Sequence, residues 1–272
     1  MKNQKLALSN LIFLKLGGSL ITDKEKPYTA LPEVIHLLTN EITQFLKESP
    51  ETQLVIGHGS GSFGHVTAKK FKTRNGVNSS SEWQGFVNVW WDARKLNSIV
   101  LDTFIAAGLP VISFPVSAAA LTTNHRITEW LPAPLSQALT HNLIPIVYGD
   151  VVMDTAIGGT ILSTEEIFFH LAPELKPDKI ILLGIEKGVW SDFPQKTNII
   201  KTITTETFGE IQKNIYGSAS TDVTGGMLEK VKTMLSLVQS QSNLTIHICS
   251  GTQKGNLYRL LNGEEIGTKI SS

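Results

Sequence analysis

Short runs in which nearly every residue is apolar alternate along the chain with longer stretches in which apolar positions recur every three or four residues. The short runs are residues 11–16, 53–56, 110–114, 144–148, 179–183 and 244–248, each four to six residues long. Strands covered on both faces have this character. The longer stretches, 31–47, 81–107, 165–171 and 227–239, predict helices, with Pro32 and Thr164 suited to helix starts. Alternation of this kind predicts a three-layer αβα sandwich around a mainly parallel sheet. Residues 149–154 followed by Gly158 and Gly159 read instead as a small hairpin.

Two segments imitate membrane or export signals. Residues 103–124 carry no Lys, Arg, Asp or Glu, but Gly108, Pro110 and Pro115 fit a helix end, a turn and a buried strand better than a membrane span. The apolar residues 6–14 follow Lys2 and Lys5, yet Ser9 and Asn10 break the run and no small-residue cleavage site follows, so a strand is expected.

Composition narrows the field. A length of 272 residues suits one large α/β domain or two modest ones. No linker composition interrupts it, so a single domain over 1–272 is expected, with any internal division at an ordinary loop near 175–180. Lys+Arg and Asp+Glu balance at 24 each, leaving no field to attract nucleic acid or an anionic membrane. At 41% hydrophobic and 18% charged residues the chain can bury a substantial core, which excludes intrinsic disorder. Cys249 is the one cysteine and lies in an apolar run, as a core thiol in a reducing cytoplasm would.

In parallel sheets ligands gather beyond the carboxyl ends of the strands, and three loops in that position are rich in glycine. The first, Lys15-Leu-Gly-Gly-Ser19, pairs backbone that can approach phosphate closely with a lysine; a tight turn explains it equally well. The second, from Gly57 to His65, holds four glycines, two serines and two histidines. It fits neither the P-loop nor the dinucleotide pattern but can cradle an anion, with His65 opening a helix to Phe71. Capping or packing is the other reading of His65, and His58 suits a structural role in the turn. The third, Asp222-Val-Thr-Gly-Gly-Met-Leu-Glu-Lys230, can aim a helix start at an anion, with Lys230 one turn beyond Gly226; taken alone, a capping glycine pair and a surface lysine explain it equally well.

In this order the loops resemble the amino acid kinase superfamily and, within it, the isopentenyl phosphate kinases. The segment Lys15 to Lys24 resembles the family opening, Gly59 to His65 its substrate loop, and Gly149-Asp150 with Gly158-Gly159 its central hairpin. Asp222 to Lys230 resembles its nucleotide-side signature, and Gly255 to Thr268 its C-terminus. The resemblance implies that Lys15, Gly17, Gly18 and Ser19 hold the ATP phosphates, with Gly61, Gly226 and Lys230. It implies that Lys24 stabilises the transition state, that Ser60, His65 and Gly159 bind the substrate phosphate, and that Asp150 orients the lysines by charge pairing. An N-terminal lobe of about 1–175 would bind the acceptor, and a C-terminal lobe of about 176–272 would bind ATP. Glu186 and Trp190 stand in the loop expected to frame the adenosine and depart from the family's Asp-Gly-Val-Tyr; Ser60 stands where the family usually has glycine.

What the resemblance implies is a cytoplasmic, homodimeric kinase that uses ATP and Mg²⁺, without a protein cage for the metal, to convert an isoprenoid monophosphate to its diphosphate. The helix around Trp83, Phe86, Val89, Trp90 and Trp91 would line the tail pocket, with one of the two adjacent tryptophans as its wall, since neighbouring helical positions diverge by ~100°. Two other readings keep the fold: a kinase of a small phosphonate such as fosfomycin, or of a carbamate or amino acid, and a nucleotide-binding sensor without turnover.

Overall fold

The structure is a computed structural model and describes residues 10–213, 215 and 226–272. In chain order the first half comprises β1 (Leu11–Leu16), α1 (Gly18–Ile21), α2 (Pro32–Glu48), β2 (Gln53–His58), α3 (Gly61–Phe71), α4 (Ser80–Ala106), β3 (Val111–Ser113), β4 (Leu121–Thr123), β5 (Arg126–Glu129), α5 (Ala133–Thr140) and β6 (Ile144–Tyr148). There follow β7 (Asp150–Asp154), β8 (Gly158–Leu162), α6 (Thr164–Leu175), β9 (Lys179–Gly184), β10 (Val189–Trp190), β11 (Ile199–Ile200), β12 (Thr202–Ile203), α7 (Phe208–Ile211), α8 (Met227–Ser240), β13 (Thr245–Ser250), α9 (Asn256–Leu261) and β14 (Thr268–Ile270).

Eight strands form one sheet in the order β12-β14-β13-β9-β1-β2-β6-β3. Its neighbours are parallel except β13 with β14. Alternation along β1 shows why both faces needed covering: Leu11 and Phe13 pack into one apolar cluster with α5, α6 and α8, whereas Ile12, Leu14 and Leu16 pack into another with α2, α4 and α9. That is the three-layer αβα sandwich expected from the chain pattern. The hairpin β7–β8 joins β4 and β5 in a separate four-stranded sheet, on whose inner side a third cluster gathers Ala68, Val77, Phe86, Val89, Val151 and Ile161.

Helix starts follow local chemistry. Pro32 sits in the first turn of α2, and Ser79 and Ser163 form capping boxes with Glu82 and Glu166 at α4 and α6. The charge-free residues 103–124 become the end of α4, β3, a 3₁₀ turn and β4. Among the described residues no helix is long and apolar enough to cross a membrane.

Candidate active site

The loops after β1, β2 and β9 meet at the carboxyl ends of their strands, where they line a cavity of about 350 Å³. The approach of the first two is so close that only glycine fits: a Cβ on Gly18 would lie 2.4 Å from the Gly61 nitrogen. Gly61 itself has φ +50°, in the left-handed region. Thr22 fastens the pair, donating from Oγ1 to the Gly18 carbonyl at 2.7 Å and accepting from the Ser62 N–H at 2.9 Å. Lys15, Gly17, Gly18, Ser19, Lys24, Ser60, Gly61, His65, Glu186, Gly226 and Lys230 all line this cavity, so every sequence-selected position except Asp150 and Gly159 arrives there.

The first turn of α6 organises the cationic side. Glu165 is 8% exposed and forms ion pairs with Lys15 and, at 3.3 Å, with Lys230. Burial pushes its carboxyl up, but the two ammonium groups outweigh that and hold it at about 2. Each neighbour in this turn grips a different element. Ser163 caps the helix, Thr164 Oγ1 donates to the His58 carbonyl at 2.7 Å, and Glu166 receives both terminal nitrogens of Arg74, at 3.2 and 2.6 Å. Glu186, the other carboxylate of the cavity wall, accepts from Trp190 Nε1 at 2.7 Å and from Lys196 Nζ at 2.6 Å.

Against known proteins, the sequence profile of the amino acid kinase family matches residues 10–250. The chain is 31% identical over 266 residues to the isopentenyl phosphate kinase of Methanocaldococcus jannaschii, covering 96% of this chain and 98% of that one. With the isopentenyl phosphate kinase of Methanothermobacter thermautotrophicus it shares 30% identity over 271 residues, 96% and 99% of the two chains. The chain belongs to the amino acid kinase family, in its isopentenyl phosphate kinase branch. A solved isopentenyl phosphate kinase superposes with a TM-score of 0.81 at 28% identity, covering 96% of this chain and all of that one, 100%.

Within this kinase fold four expectations change. The carboxylate that pairs the lysines is Glu165, not Asp150: Asp150 accepts from Ser117 Oγ at 2.6 Å and from the Val151 N–H at 2.8 Å, and forms no ion pair with a described residue. Burial raises it to about 7, against those hydrogen bonds. Gly159 does not line the cavity either, because its N–H goes to the Ile157 carbonyl at 3.0 Å and its α-carbon faces Phe86. Neither adjacent tryptophan is a cavity wall: Trp90 packs against the third cluster and Trp91 is 46% exposed beneath the Arg94 guanidinium. The apolar wall comes instead from Ala68, Val89 and Ile161. Finally, α3 starts at Gly61, so His65 lies a full turn inside the helix and not at its first position.

Ser60 causes no backbone strain, since its φ of −78° and ψ of −11° suit any residue. His58 is structural: fully buried, it bonds Asn97 Oδ1 at 3.1 Å and stacks on Tyr148, and burial lowers its pKa. Residues 222–225 of the third loop lie outside the described residues. Glu165 and Arg74 were missed by sequence reasoning. The Ser163–Glu166 capping box, directly after the hairpin, was the signal that could have found Glu165; Arg74 carried none.

Proposed function

We propose that this protein transfers the γ-phosphoryl group of ATP to the phosphate of a short isoprenoid monophosphate, isopentenyl phosphate first, giving the diphosphate and ADP. One observation carries the reading. Lysines 15, 24 and 230, Arg74 and His65 line the cavity, while the two carboxylates that line it are already committed to lysines. A kinase acting on an alcohol uses a free carboxylate as base; an acceptor that is already an anionic phosphate needs no base and demands compensating positive charge. The names carried by the matching relatives support the same acceptor.

In this reading Lys15, Gly17, Gly18, Ser19, Gly61, Gly226 and Lys230 hold the ATP phosphates, with Glu165 setting the spacing of the two lysines. Lys24 meets the transferring phosphoryl group, and Ser60 and His65 bind the acceptor phosphate. Its tail lies against Ala68, Val89 and Ile161. The sheet order supports a division of labour, the elements up to about residue 175 taking the acceptor and those from about 176 taking the nucleotide beside Glu186. Mg²⁺ fits this donor set as a guest of the nucleotide phosphates, since Glu165 and Glu186 are engaged and no group of three or more His, Cys, Asp or Glu suited to a metal occurs among the described residues. Bound there, it would neutralise charge on the phosphate oxygens. A cytoplasmic homodimer completes the proposal, and the exposed Ile112 on edge strand β3 offers a contact for a second copy.

The test is kcat/KM for isopentenyl, dimethylallyl and geranyl phosphates with fosfomycin alongside. Each buried methylene contributes about 0.8 kcal/mol, so a tail-binding site favours the C5 phosphates over fosfomycin by orders of magnitude. A preference for fosfomycin would replace the acceptor and leave the kinase standing; no consumption of ATP with any acceptor would leave a nucleotide sensor.

A further inference from the structure

Lys24 is exposed and forms no ion pair with a described residue, so its position depends on the segment that carries it, residues 23–29. The segment is a closed excursion, with Thr22 bridged to Ala30 and the Asp23 N–H bonded to the Thr29 carbonyl at 2.9 Å. Near its far end stands Tyr28, with φ +56°, a conformation that disfavours any residue with a Cβ. Tyr28 is 47% exposed and its ring touches the interior only edge-on, at Phe63, so apolar burial alone does not explain its placement.

Its hydroxyl does. Tyr28 OH lies 3.0 Å from Thr67 Oγ1, and Thr67 Oγ1 donates to Asp92 Oδ2 at 2.7 Å. Because the Thr67 proton is committed to Asp92, Tyr28 is the donor to Thr67. Asp92 is buried at 7% exposure, and its other oxygen pairs with Lys95 at 3.2 Å, while the Lys95 ammonium also lies over the Tyr28 ring. Thr67 belongs to α3, two residues beyond His65, and Asp92 to α4. The chain of bonds therefore runs from the Lys24 segment to the helix that carries His65 and on into the helical layer.

We propose that Tyr28, acting through Thr67 and Asp92, is a positioning residue that holds Lys24 over the transferring phosphoryl group. The proposal rests on the reading of Lys24 given above. Displacing a catalytic group by an ångström costs about 10- to 100-fold in rate, so Tyr28→Phe, which deletes one oxygen, lowers kcat by that factor with the KM for ATP and Tm unchanged. Thr67→Val does the same, and Thr67→Ser recovers most of the loss. The deciding measurement is a double-mutant cycle: in a Lys24→Ala background Tyr28→Phe has no further effect on kcat, because the residue acts only through Lys24. An additive loss in the double variant, or a Tyr28→Phe enzyme within about 2-fold of the wild type, overturns the latch while a large Lys24→Ala loss keeps the reading of Lys24. Full turnover by Lys24→Ala alone would instead remove that reading, and the latch with it.

Discussion

Glu165, in the first turn of α6, and Asp150, at the start of β7, are both nearly sealed from water, at 8% and 1% exposure. Burial raises the pKa of each, yet Glu165 ends at about 2 and Asp150 at about 7. The difference lies in what they face. Glu165 meets two ammonium groups, whose attraction in a poorly solvated setting outweighs the lost hydration; Asp150 meets the Ser117 hydroxyl, a backbone N–H and the Tyr148 phenol, which are dipoles and not charges. A buried acid stays ionised when its neighbours are cations and holds its proton to higher pH when they are dipoles. That contrast separates the lysine cluster from the hairpin beneath it, and four experiments can break or sharpen it.

The largest effect is expected at Glu165. Replacing it with Gln leaves Lys15 and Lys230 repelling each other, so turnover should fall by about 100-fold or more and the unfolding free energy by about 3 kcal/mol. Because its folded pKa lies below its ordinary value, the stability it confers is present above about pH 4.5 and lost as pH falls toward 2. Urea titrations from pH 5 down to 2 should show that acid loss in the wild type and not in Glu165→Gln. Turnover retained within a few-fold would mean that the lysines organise themselves.

Asp150 has the opposite sign. Its folded pKa lies above the ordinary 3.8, so the folded state keeps a proton that the unfolded state releases, and stability declines as pH rises from about 4 to about 7. Asp150→Asn should gain on the wild type by up to about 1.4 kcal/mol per pH unit across that interval, with kcat within a few-fold. A loss of turnover comparable to that of Glu165→Gln would return Asp150 to the catalytic set.

Gly159→Ala tests whether the hairpin is framework. An added Cβ would lie 2.7 Å from a Phe86 ring carbon, so overpacking should cost about 1–3 kcal/mol by denaturant unfolding. The acceptor's KM should be unchanged, since the Gly159 N–H is already bonded; a raised KM with unchanged stability would place it on the acceptor after all. The smallest effect is expected at Trp91, where Ala should alter stability by no more than about 0.5 kcal/mol and leave the ratio of kcat/KM for geranyl and isopentenyl phosphates unchanged. Val89→Ala, on the cavity wall, should raise that ratio. A shift at Trp91 and none at Val89 would reverse the assignment of the pocket wall.

Much of this was legible in the chain. Strands β1, β2, β3, β6, β9 and β13 of the central sheet were read to within two residues at their ends, because double-sided burial forces continuous apolar runs, whereas the short β12 and β14 carry no such run and were not read. The glycine loops were legible for a related reason: backbone approaching backbone at Gly18 and Gly61 tolerates no other residue. The aromatic stripe on α4 misled, since Trp90 and Trp91 look alike in sequence and only the packing of α3 and β8 against α4 determines which residue reaches the cavity. Asp150 misled too, because its place beside Gly149 says nothing of what stands opposite it in space, and Glu165 has no glycine next to it to draw attention.

By itself, then, the sequence determined the layers, the loops and the cations, all of which depend on local periodicity or on residue type alone. Tertiary structure decided which acid serves the lysines, where the apolar wall stands and how the Lys24 segment is held. Those outcomes depend on distances between residues far apart in the chain, such as Lys15 and Glu165 or Tyr28 and Thr67, and electrostatic and packing energies follow such distances, which local pattern does not encode.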